Sequence, residues 1–120
     1  MSGTRPNKVI PSTVTQEESA TGDYNDTELE IGSFAASDTL TEFEVDVSEI
    51  FDGTTPVASI GIDANHEKYL TEEQCDLTVA GTYIIRDTTP MTGNETIKVF
   101  IDGDGAVQGS LTAKVRFLDT

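Results

Sequence analysis

The residues most capable of chemistry in this sequence are a single cysteine, a single histidine and many acids. A catalytic thiolate at Cys75 needs a base beside it, and His66 is the only imidazole. The polar segment between the two gives no sign that they meet, so the sequence favours a small buried or half-buried thiol. A lone histidine without HxH or HxxxH spacing also lacks the ligand set of a transition-metal site, and we expect a solvated loop residue.

The stretch IDGDGAVQGS, from Ile101 to Ser110, begins like a calcium loop, with Asp102 and Asp104 alternating before Gly105. An EF-hand needs a further side-chain ligand before the glycine, a glutamate near the end of the loop and flanking helices. The flanking residues here have strand patterns instead. Because glycine tolerates positive φ and aspartate bonds to the local backbone, we predict a hairpin loop.

Adjacent carboxylates such as Glu72 and Glu73 are numerous, but an acidic chain offers such pairs by composition alone. Glycosidase chemistry needs two carboxylates in a cleft, and the absence of Trp argues against a surface that stacks on sugar rings. The sequence contains no Gly-rich phosphate loop and no GxSxG elbow. We therefore predict a protein that is not an enzyme and that has no cofactor and no metal site.

The charge balance narrows the range of partners. There are 22 acidic and 7 basic residues, which give a formal charge of −15, and no Lys or Arg lies between Lys8 and Lys68. Such a surface repels phosphate backbones and anionic lipids, so neither nucleic acid nor membrane is expected as a partner. The acidic half is either a solubilising coat or a patch for a basic partner or cations, and the sequence does not separate these. The first residues show neither a signal peptide nor an apolar span, so we expect synthesis in the cytoplasm.

The elements that must position these residues are short strands. At 120 residues the chain is long enough for one domain. From Thr27 onward, apolar and polar residues alternate with the period of a half-buried strand. The segments with this pattern are TELEI, FEVDV, VASIGI, TYIIRD, TIKVFID and SLTAKVRFL. We predict an all-β fold over residues 27–120, an antiparallel β-sandwich or jelly roll. The only helical candidate is the polar segment 66–74.

Residues 1–26 contain few apolar side chains and show no period, which indicates an extended N-terminal arm rather than a core element. At about 3.3 Å per residue, such an arm spans roughly 85 Å when fully extended. We expect it to lie on a neighbouring molecule.

Several motifs together resemble a module of tailed-bacteriophage structural proteins. They are the strand around Val45 and Val47, the turn DGTTP at 52–56, the strand end SIG at 59–61, the segment DLTVAGTY at 76–83, and the final strand up to Phe117. The resemblance covers roughly residues 40–118. It implies a β-sandwich virion component without an active site, located on the capsid surface or in the collar or tail.

From this resemblance we expect a capsid decoration or cement protein, present as a homo-oligomer, whose partners are the major capsid protein or other virion proteins and copies of itself. The arm residues expected to make contacts are Lys8, Val9, Ile10 and Val14, and the run between Pro6 and Pro11 is suited to pairing with an exposed sheet edge. The alternatives are a collar, head–tail connector or tail component and, from another class, a module that binds calcium or a glycan.

Overall fold

The computed structural model describes the backbone of residues 14–119 and the side chains of residues 16–118. The described chain contains eight strands and one short 3₁₀ turn. These are β1 (Val14–Asp23), β2 (Glu28–Phe34), β3 (Thr39–Glu49), β4 (Val57–Ile62), β5 (Asn65–Leu70), the 3₁₀ turn (Glu72–Gln74), β6 (Gly81–Pro90), β7 (Glu95–Asp102) and β8 (Ser110–Asp119).

The strands form two four-stranded antiparallel sheets. The first sheet has the order β1-β8-β3-β6 and the second has the order β2-β7-β4-β5. Strand β1 pairs with β8, β2 with β7, β3 with β6 and β4 with β5, so the chain is one long hairpin, with its tip between β4 and β5, rolled into two layers. This is the arrangement of an eight-stranded jelly roll, and the predicted all-β sandwich is confirmed.

Alternating side chains from both sheets fill the core between the layers. In β3, Phe43, Val45 and Val47 are buried as predicted, because every second side chain of a strand points to the same face. In β8, the same alternation buries Leu111, Ala113, Val115 and Phe117. The second sheet contributes Ile60, Ile97, Val99 and Ile101. Phe34 meets Phe117 edge to face across the two sheets, with ring centroids 4.9 Å apart.

The predicted arm contains a strand. We assigned residues 1–26 to an arm, whereas residues 14–23 pair along their whole length with β8 as an edge of the first sheet. The apolar pattern does not mark this strand, because its positions opposite core residues of β8 are filled by Gln16, Glu18, Ala20 and Gly22. Gly22 is buried and Ala20 half-buried, while the two larger polar residues are exposed.

Two local predictions are wrong. The segment 66–74 is not helical, since residues up to Leu70 form β5 and only Glu72–Gln74 make a 3₁₀ turn. The two-residue turn after Ile62 and the burial of Leu70 favour a hairpin with β4 over a helix without an apolar stripe. The loop after Asp102 is not a hairpin loop, because β7 and β8 belong to different sheets and the loop crosses between them.

Candidate functional site

Cys75 is part of the hydrophobic core. Its side chain is completely buried beside Leu77, as the sequence analysis favoured. Burial raises the pKa of the thiol to about 12, against a smaller opposite effect of a hydrogen bond with the backbone of Ala58. The thiolate needed for catalysis or metal binding is therefore absent near neutral pH.

The sequence predicted that His66 is a loop residue, and this prediction is wrong. His66 lies on β5, where its ring stacks on Phe100 of β7. The ring centroids are 3.7 Å apart and the planes differ by 7°. The side chain is exposed, so it covers the outer face of Phe100 without leaving solvent. Within residues 14–119, no group of three or more His, Cys, Asp or Glu side chains is arranged to hold a metal ion.

The Asp102-Gly-Asp-Gly loop is held by the Asp52–Pro56 turn, and the carboxylate of Asp104 makes part of this contact. Asp104 accepts a hydrogen bond from Thr55 N at 2.8 Å on its carboxylate and one from Thr54 N at 3.2 Å on its main-chain oxygen. In return, Asp52 Oδ1 accepts from Val107 N at 2.8 Å. Gly53 lies so close that a Cβ there would be 2.0 Å from the Gly103 carbonyl oxygen. The two loops therefore form a latch at one end of the sandwich.

Beside this latch lies an open groove of about 650 Å³ with an acidic lining. Glu72, Glu73 and Asp76 line it together with Asp102 and Asp104. Asp76 accepts hydrogen bonds from the backbone and hydroxyl of Thr78, and these hold its pKa below the usual range. The carboxylates of Asp76, Asp102 and Asp104 accept hydrogen bonds from nearby main-chain N–H groups, so three of the five acids in the groove are already engaged within the protein.

The outer face of the first sheet carries rows of paired charges. Arg116 of β8 contacts Glu17 of β1 at 3.3 Å and Glu44 of β3 at 3.2 Å, and it also bonds to Glu42. Arg86 of β6 donates to Glu42 Oε1 at 3.1 Å. Opposite charges on adjacent strands stabilise a sheet by about 0.2–1 kcal/mol per pair. These rows therefore align four strands and leave few charges for a ligand.

A second cluster fastens β5 to the start of β7. Lys68 and the hydroxyl of Tyr69 both donate to Glu95, and the Tyr69 ring stacks on Phe43 with centroids 4.7 Å apart. Burial and the bond to Glu95 raise the pKa of Tyr69. Although burial acts in the opposite direction, the hydrogen bonds from Lys68 and Tyr69 lower the pKa of Glu95. The cluster is an internal clasp.

Every basic side chain in the described part of the chain has an acidic partner. The pairs not yet given are Lys98 with Glu28 and Asp63, and Lys114 with Glu17 and Glu44. Residues 14–119 contain all 22 acids but, because Arg5 and Lys8 lie outside, only five of the seven basic residues. Their formal charge is therefore −17. The net charge that this part of the chain presents to a partner is therefore strongly negative.

Of the predicted contact residues, Lys8, Val9 and Ile10 lie outside the described residues. Val14 is the first residue of β1, and its backbone is opposite Asp119 of β8. The structure offers a different candidate contact surface, strand β6, which the sequence analysis did not select. This strand is one of the two edges of the first sheet, opposite β1, and Tyr83, Ile84 and Ile85 follow one another along it.

The fold has counterparts among solved structures, although no family model matches the chain and no curated protein does. A chain in the acidic stable capsid structure of Helicobacter pylori bacteriophage KHP30 matches with a TM-score of 0.74 at 12% identity, over 89% of this chain and 91% of that one. A chain in the cyanophage Pam1 capsid asymmetric unit matches with a TM-score of 0.67 at 10% identity, over the whole of both chains. The predicted resemblance to a module of phage virion proteins is thus confirmed at the level of the fold.

Within residues 14–119, the structure has no helix with the length and hydropathy needed to cross a bilayer.

Proposed function

We propose that this chain is a non-enzymatic structural protein of a phage virion, a capsid decoration or cement protein that binds the capsid surface and copies of itself. The observation that carries the proposal is the match of the jelly roll to chains of two phage capsid structures, over at least 89% of this chain in each case. The buried thiol, the hydrogen-bonded loop carboxylates and the paired charges support a role without catalysis.

The charge distribution supports the N-terminal segment as a contact. Residues 1–13 contain Arg5 and Lys8 and no acid, whereas the rest of the chain has a formal charge of −17. Opposite charges on two surfaces steer and orient their association. Lys8, Val9 and Ile10 combine a cation with two β-branched side chains, which suits a contact with an acidic neighbouring subunit.

Many weak contacts are sufficient for such a function. A shell of small modules gains stability from multivalency, so no single contact has to be strong. The acidic surface of each module prevents adhesion to nucleic acid.

The test is to add the purified chain to capsids of its phage that lack it and to determine copy number and position on the particle by electron cryo-microscopy. Hundreds of copies on the outer surface are expected. About six or twelve copies at the portal vertex or tail would replace decoration by the collar, connector or tail alternative. Absence from the particle would refute a virion role.

Matched variants test the contact residues. Val9→Asp is expected to reduce the number of copies bound per capsid. The control is Val107→Asp, which introduces the same charge at a side chain that is 71% exposed in the loop after β7. Equal binding by the wild type and Val9→Asp, with loss in Val107→Asp, would move the contact to the loop after β7.

A further inference from the structure

Strand β6 is a sheet edge whose first half, residues 81–85, lacks the features that prevent edge pairing; its charges, Arg86 and Asp87, and its register shift come after this half. Free edges expose unpaired N–H and C=O groups, and proteins protect them with charges, bulges or short length. Residues 81–85 of β6, GTYII, contain no charge, and the strand has 10 residues. Ile84 points away from the core and is 40% exposed.

The other three edges in the described part of the chain are protected. Strand β1 contains Glu17, Glu18 and Asp23. Strand β2 contains Glu28 and Glu30, and its register shifts after Glu30. Strand β5 has six residues, including Glu67 and Lys68. The contrast makes β6 the edge suited to adding a strand from another molecule.

We propose that β6 pairs with β6 of a second copy, antiparallel and centred on Ile84, and so joins the two first sheets into one eight-stranded sheet. A two-fold interface of this kind uses the same residues on both sides. Ile84 then faces Ile84 of the other copy, and Tyr83 faces Ile85. Aromatic and β-branched pairs of this kind are favourable across strands.

Charge complementarity favours a second copy as the occupant. In this register Arg86 lies opposite Thr82 of the other copy, and no two like charges are opposite each other. Thr82 already donates to Asp46 at 2.9 Å, so Arg86 is placed beside an acid of the other copy while it keeps its bond to Glu42. The Arg86 side chain is 75% exposed and has room for this contact.

The overall charge restricts where two copies approach. Because each copy carries a formal charge of −15, approach along an acidic edge is repelled. Residues 81–85 of β6 contain no acid, so this part of the edge adds no charge of its own to that repulsion. The proposal adds a specific self-contact to the proposed function, but it concerns the free protein and does not depend on binding to a capsid.

The experiment measures the mass of the full-length protein by sedimentation equilibrium from about 1 µM to 1 mM. We expect a dimer of twice 12.9 kDa for the wild type. Ile84→Lys is expected to weaken dimerisation at least tenfold, because it places two cations opposite each other. The control is Ile50→Lys, which makes the same substitution at a side chain of similar exposure, 43%, just beyond the end of β3, and which is expected to dimerise like the wild type.

A mixing experiment identifies the register. Ile84→Lys and Ile84→Glu are each expected to be monomeric, and an equimolar mixture is expected to recover the dimer because the opposite charges then meet. Lys8→Glu is expected to leave the dimer intact, since residues 1–13 take no part in it.

Clear outcomes would overturn the proposal. The proposal is wrong if the wild type is monomeric at 1 mM, or if Ile84→Lys associates as strongly as Ile50→Lys. It is also wrong if the mixture of Ile84→Lys and Ile84→Glu stays monomeric, or if Lys8→Glu loses the dimer. The last result would identify the N-terminal segment as the occupant of the contact. Copy number on capsids is measured separately, so failure of either proposal is recognised without the other.

Discussion

Replacing Gly53 by alanine tests the latch between the Asp52–Pro56 turn and the loop after β7. An ideal Cβ at this position lies 2.0 Å from the Gly103 carbonyl oxygen and 2.7 Å from that of Asp104. Both obstacles are backbone atoms, so no side chain can rotate away. Gly53 does not have a positive φ, and the substitution therefore introduces the contact without backbone strain.

The expected loss of stability follows from these distances. To restore a separation of 3.0 Å, the facing loop must move by about 1 Å. Such a shift breaks the hydrogen bonds from Thr54 and Thr55 to Asp104, at roughly 1 kcal/mol each. Overpacking adds about 1–2 kcal/mol. The sum is about 3–4 kcal/mol, or a decrease in Tm on the order of 10–15 °C for a domain of this size.

The assay is thermal and urea unfolding followed by circular dichroism, with Gly93→Ala as the control. Gly93 also lacks a positive φ, and a Cβ there meets no atom within 4 Å. We expect this control to stay within about 0.5 kcal/mol of the wild type. A Gly53→Ala protein as stable as Gly93→Ala would refute the latch, since the two loops would then not be in contact.

Three further predictions address the clusters. Because folding lowers the pKa of Glu95, the ionised carboxylate stabilises the protein above the ordinary carboxyl pKa, and this stabilisation is lost as the pH falls. The difference in unfolding free energy between the wild type and Glu95→Gln should therefore shrink between pH 6 and pH 3. A difference that stays constant would contradict the contact of Glu95 with Lys68 and Tyr69. Cys75, whose pKa burial raises to about 12, should not react with a thiol reagent at pH 8 until the protein is unfolded in urea, and rapid labelling of the native protein would disprove its burial. Calcium at millimolar concentration should leave Tm unchanged, because the Asp102 carboxylate bonds to Asp104 N and the Asp104 carboxylate bonds to Thr55 N; a rise in Tm would support the calcium-binding alternative.

The six strands predicted from the sequence are those in which apolar residues mark the strand. Phe43, Val45 and Val47 alternate with acids because β3 lies between β8 and β6 and buries one full face. The two strands that were missed, β1 and β5, are both sheet edges. In contrast to the edges β2 and β6, which have Leu29, Ile31, Tyr83 and Ile85 at alternate positions, these two edges have few apolar residues, and their sequences VTQEESATGD and NHEKYL have no clear period.

The candidate site was less predictable than the fold. The sequence shows that GTYII is uncharged, but only the order of strands reveals that it lies at an open edge. The partner of Glu42 and Glu44 on β3 is likewise set by strand register, since both bond to Arg116, which is 72 or more residues away in the sequence. Long-range pairing of this kind is not encoded in local patterns.

The rolled hairpin also sets an order of events during synthesis. Of the eight strands, β1 leaves the ribosome first and its partner β8 leaves last, so β1 has no sheet to join until the other seven strands have emerged. A hydrophobic strand that stayed unpaired for this time would promote aggregation of nascent chains. The polar composition of β1, with Glu17 and Glu18 near its start, lets this segment remain dissolved during the delay.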